Sequence, residues 1–61
     1  MSDIDRWEFL VALDRSDVKT TPWEAAFVRK MVQNPGFRMS IKQASVVDKM
    51  INKYAQKVKE W

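Results

Sequence analysis

The 61-residue chain has no cysteine and no histidine, and only one glycine and two prolines. Without cysteine there is neither a disulfide framework nor a thiolate zinc site. Without histidine the imidazole base is missing, and with it the usual activator of a serine or cysteine nucleophile. The carboxylates that remain, Asp3 with Asp5 and Asp14 with Asp17, fall at positions that read as a helix start and a loop, and neither spacing matches a calcium loop. We therefore expect no enzymatic activity, no metal, no cofactor and no small-molecule substrate. Scarce glycine and proline also leave few tight turns, which suits a few helices better than a many-stranded sheet.

Long apolar runs are absent as well. The longest, Phe9 to Leu13, falls far short of the ~20 residues a membrane-spanning helix needs. The opening residues Met1 to Leu10 carry Asp3, Asp5 and Glu8 and no apolar run, so they are not expected to act as a signal or transit peptide. Small secreted domains usually depend on disulfides, and the expected setting is cytoplasmic, with no membrane partner.

What is present argues for one folded domain over 1–61. Hydrophobic residues make up 46% of the chain, with three tryptophans, three phenylalanines and one tyrosine, too rich a content for a disordered tail. The formal net charge is +3, unevenly distributed. Residues 1–17 hold Asp3, Asp5, Glu8, Asp14 and Asp17 against Arg6 and Arg15. Bases predominate afterwards, a pattern produced either by an acidic helix beside a basic one or by an end that faces a polyanion.

Start and stop signals predict three helices, about 3–13, 22–33 and 41–60, in an all-α domain. Ser2 caps the first, with Asp5 three residues on; Ile4, Trp7, Leu10 or Val11, and Leu13 recur at helical spacing, and Phe9 and Ala12 widen the apolar surface. Thr21-Pro22-Trp23-Glu24 combines an N-cap, a first-turn proline and a capping-box glutamate. That second helix is apolar around much of its circumference, with Trp23, Phe27 and Met31 on one stripe and Val28 and Val32 on another flank, and is expected at the centre with Trp23 and Phe27 in the core. Asn34-Pro35-Gly36 ends it in a turn. Ser40 with Gln43 opens the third helix, whose residues Ala44, Val47, Ile51, Tyr54, Val58 and Trp61 form an a/d-type seam. The seam serves either as the core-facing edge of a small bundle or as the interface of a homodimer.

Opposite the seam, Lys42, Lys49 and Lys53 share a narrow arc with Lys57 at its edge. With Arg29, Lys30 and Arg38 in support, these are the candidate nucleic-acid-binding residues, able to neutralise backbone phosphates with little regard to sequence. Two helices joined near a glycine, the second basic, also give the coarse outline of a helix-turn-helix, although the Asn34–Ser40 connection is longer than usual.

The residues Thr21-Pro22-Trp23-Glu24-Ala25-Ala26-Phe27, then Met39-Ser40-Ile41-Lys42-Gln43, Asp48-Lys49 and Lys53-Tyr54, resemble a short helical module of bacteriophage proteins, often linked to phage replication or recombination proteins. The resemblance covers roughly Trp7 to Tyr54. It implies a role near nucleic acid metabolism, in the host cytoplasm, and no catalytic residue. Within the motif Lys42 has no structural duty, since a cation is disfavoured at a helix start. The first reading is therefore a small nucleic-acid-binding accessory protein. The alternative is an interaction module or inhibitor that binds a host or replication protein through exposed apolar residues, for which Trp61, Phe37, Met39 and Met50 are the candidates.

Overall fold

A computed structural model of the chain describes residues 2–33 and 38–58. It holds three α-helices, α1 (Asp3–Arg15), α2 (Pro22–Gln33) and α3 (Ile41–Tyr54), followed by a 3-10 turn, Ala55–Lys57. No strand occurs among the described residues, and the all-α three-helix architecture is the one expected. The Pro35-Gly36 turn, Phe37 and Trp61 lie outside the described residues.

Each helix begins in the same way. The Ser2 hydroxyl accepts from the Asp5 amide at 3.2 Å and Asp5 accepts from the Ser2 amide at 3.5 Å. Thr21 and Glu24 exchange the same pair of bonds at 3.2 and 2.9 Å, and Ser40 and Gln43 do so at 3.1 and 2.9 Å. These reciprocal boxes satisfy amides that the first helical turn leaves without partners. At the far end of α1, the Ser16 hydroxyl donates to the Leu13 carbonyl at 2.7 Å and accepts from the Val18 amide at 3.3 Å. This serine closes the helix two residues later than expected and turns the chain into the following loop.

The α-helical part of the third segment is shorter than expected. A continuous helix over 41–60 would be ~30 Å long, whereas the molecule's longest dimension is 25 Å. The helix tightens after Tyr54 and becomes extended at Val58 (φ −100°, ψ 103°), which keeps Val58 buried in the core.

That core consists of Phe9, Leu10, Leu13, Val28, Met31, Val47, Met50, Ile51, Tyr54 and Val58. The seam on α3 faces the chain's own interior through Val47, Ile51, Tyr54 and Val58. The central helix is α1, not α2. It packs closely against both others, while no Cα of α2 comes within 8 Å of a Cα of α3. The reason lies in what each helix can bury: α1 seals Phe9 and Leu10 completely and Leu13 nearly so, whereas α2 buries only Val28 and Met31 to that degree. Ile4, counted in the α1 stripe, is on the surface instead.

Polar ties fix α3 against α1. Arg6 of α1 grips Asp48 of α3 through Nε at 2.8 Å and Nη2 at 3.2 Å, a bidentate fork that sets orientation as well as proximity. Nη1 of the same guanidinium donates to Asp3 at 3.1 Å, and the other Asp3 oxygen accepts from the Met39 amide at 3.1 Å, securing the entry into α3. The Arg6 hydrogen bonds hold the Asp48 carboxyl below its ordinary pKa, and Asp48 in turn raises that of Arg6.

Candidate nucleic-acid interface

Because α2 and α3 do not pack directly on each other, a groove lies between them. Its lining includes Thr21, Trp23 and Glu24 from the start of α2, and Val46, Lys49, Met50 and Lys53 from α3, around a space of about 320 Å³. Glu24 bridges the two helices. One oxygen accepts from the Tyr54 hydroxyl at 2.6 Å and from the Thr21 amide at 2.9 Å, and the other pairs with the Lys53 ammonium at 3.4 Å. The Tyr54 hydrogen bond first, then the Thr21 amide, lower the Glu24 pKa to about 2. Lys53 lies 5.1 Å from the Tyr54 ring centroid, and its pKa is raised by hydrogen bonds to Tyr54 and then Glu24.

Of the expected phosphate contacts, Lys42, Lys49 and Lys53 are exposed and share the α3 flank turned toward α2, since one of them, Lys53, reaches Glu24. Lys53 has that acidic partner; Lys42 and Lys49 form no ion pair among the described residues. Lys57, expected at the edge of the same arc, is carried away from it by the 3-10 turn. It lines a different hollow, with Ala12, Arg15, Ser16, Asp17, Val18 and Val58. Arg29 and Lys30 are exposed beside Ala25, Ala26 and Gln33 on a separate face of α2, and Arg38 is exposed ahead of α3. The structure thus gathers Lys42, Lys49 and Lys53 on one face and places Lys57, Arg29 and Lys30 on others.

The apolar surface differs from the expected one. Met50 is a core residue at 3% exposure, and Met39 is half-buried against that core, so neither offers a free apolar contact. Trp23, expected in the core, is 62% exposed; Phe27 is half-buried. The inward arc of α2 is Glu24, Val28 and Met31, which leaves Trp23 on the flank. There its ring stacks on Phe27, with centroids 5.4 Å apart and planes 8° from parallel. The other exposed large apolar residues among those described are Ile4 and Ile41, the latter at 91%.

No group of three or more acidic, cysteine or histidine side chains among the described residues could hold a metal ion, and no helix there is long and apolar enough to cross a membrane. No protein-family model, curated protein or solved structure matches the chain.

Proposed function

We propose that this chain is a small, non-enzymatic nucleic-acid-binding accessory protein that contacts phosphates through the exposed flank of α3. The observation that carries the reading is the run of Lys42, Lys49 and Lys53 on one face, the first two without an acidic partner among the described residues. Ammonium groups on one ridge release counterions from a phosphate backbone and give affinity that depends on salt more than on sequence. The likeness of the Trp-Glu and Ser-x-Lys-Gln segments to a phage replication-associated module points the same way.

The test is fluorescence anisotropy with a labelled oligonucleotide. Three phosphate contacts give a slope of log K against log salt of about −2 for a single strand and about −2.7 for a duplex, so raising salt from about 50 to 200 mM weakens binding roughly 20- to 40-fold. Lys49→Ala flattens that slope by about 0.7 to 0.9. Absence of binding at low salt refutes the reading.

A second reading, an interaction module for a host or replication protein, draws on the exposure of Trp23 and Ile41, because large solvent-facing apolar residues are frequent anchors of protein interfaces. It predicts binding that is insensitive to salt and lost on Ile41→Ser.

A further inference from the structure

We infer that the groove between α2 and α3 receives an unpaired nucleobase stacked on Trp23, which makes single-stranded nucleic acid the preferred ligand. This rests on the nucleic-acid reading above and specifies the form of the strand.

Trp23 carries the argument. A tryptophan 62% exposed in a domain that otherwise buries its aromatic tyrosine and Phe9 is a large planar surface left in water. Phe27, parallel to it at 5.4 Å in an offset stack, packs against one side of the ring and favours one orientation of the indole before a ligand arrives. Stacking on a preset ring loses little side-chain entropy. A base placed on the uncovered side extends a stack already begun by the protein.

The surroundings select a base attached to a phosphate chain. Val46 supplies apolar lining, with Met50 behind it in the core, while Lys49 and Lys53 stand at the same groove, where they meet phosphates on either side of the stacked base. The combination of aromatic platform and cationic track is the one used for single strands. Glu24 also lines the groove, but Tyr54, Thr21 and Lys53 occupy its oxygens and its side chain is only 14% exposed, so its charge is directed into the fold. A volume of about 320 Å³ lies at the small end of the range for sites that take small-molecule ligands, ~300–1,000 Å³. Duplex bases present their faces only to one another, so a duplex can engage the lysines and not the indole.

The experiment compares three labelled probes of equal length on the native chain at low salt: an oligothymidylate, an abasic strand with the same phosphates, and a duplex. The oligothymidylate is expected to bind about 5- to 150-fold more tightly than the abasic strand, the value of one stacked base. Trp23→Ala is expected to abolish that difference while leaving the abasic affinity and the salt slope unchanged, and Trp23→Phe is expected to restore part of it. Circular dichroism and urea unfolding verify that each variant is folded, as the exposure of Trp23 leads one to expect. Equal native affinity for the thymidylate and abasic strands, or a Trp23→Ala variant that still discriminates between them, overturns the stacking inference while the phosphate reading stands. If none of the three probes binds, both fail.

Discussion

Lowering the pH is expected to unfold this domain chiefly through Glu24. Its carboxylate sits 2.6 Å from the Tyr54 hydroxyl and 2.9 Å from the Thr21 amide, and these donors favour the charged form, lowering its pKa from 4.5 to about 2. The unfolded chain has no such donors. Between those two values the unfolded state therefore binds a proton that the folded state does not, and stability falls as pH falls. The contribution is fully present above about pH 5 and lost by about pH 2, and at 1.36 kcal/mol per pKa unit it amounts to about 3 kcal/mol. A domain of this length has a total stability of roughly 3–9 kcal/mol, so the loss is a large share of the whole.

The assay is urea unfolding followed by far-ultraviolet circular dichroism at several pH values from neutral to about 2.5. Glu24→Gln keeps an oxygen that can accept from Tyr54 and Thr21 but has no charge to lose. It is expected to be less stable than the native chain at neutral pH, with the gap closing as pH falls through the carboxylate range. Tyr54→Phe removes the first cause of the shift and is expected to move the native transition toward higher pH, at a stability cost of about 1.5–3 kcal/mol for a hydrogen bond to a charged group. The shallower slope left in Glu24→Gln belongs to Asp48, whose pKa is lowered by Arg6. A Glu24→Gln variant with the full native pH dependence refutes the reasoning.

Two further perturbations test the packing. Phe9 is fully sealed in the core, and Phe9→Ala is expected to cost about 3–5 kcal/mol, at least a third of the domain's roughly 3–9 kcal/mol, read as a lowered urea midpoint by circular dichroism. Arg6→Ala and Asp48→Asn, each removing one side of the α1–α3 fork, are expected to lower stability by much less together than the sum of their single effects. Additive effects in that double-mutant cycle refute a direct tie.

How much of this was legible in the sequence depends on how far each feature reaches along the chain. The helix starts at Ser2, Thr21 and Ser40 could be read because each capping box closes within three residues. The seam Val47, Ile51, Tyr54 and Val58 could be read because periodicity on one helix is also local. Met50, expected from the sequence to be an exposed contact, lies three residues from Val47 and four from Tyr54, a spacing that marks the buried face on which the structure places it. The end of α3 was not legible, since it is set by where the core lies under Val58. Nor was the position of Trp23, because a glutamate occupies the inward arc of α2 that an apolar residue would normally mark. Glu24 can turn inward only because Tyr54 and Lys53 meet it from another helix, a pairing thirty residues away that no local signal announces.

That long-range pairing links the fold to the proposed site. Glu24 draws Lys53 toward the bridge between α2 and α3, so this cation meets phosphate in competition with a carboxylate, while Lys49 and Lys42 meet it with no acidic partner among the described residues. The same inward turn of Glu24 places its neighbour Trp23 on the flank, since adjacent residues on a helix point about 100° apart. One carboxylate thereby bears on how freely Lys53 meets phosphate and on which aromatic is available to a ligand. A single substitution at Glu24 is therefore expected to act on both properties: Glu24→Gln frees the Lys53 ammonium from its ion pair, so binding to the oligothymidylate becomes tighter and its salt slope steeper even as the domain becomes less stable. Weaker binding by a variant verified as folded would place the contribution of Glu24 in shaping the groove rather than in masking Lys53.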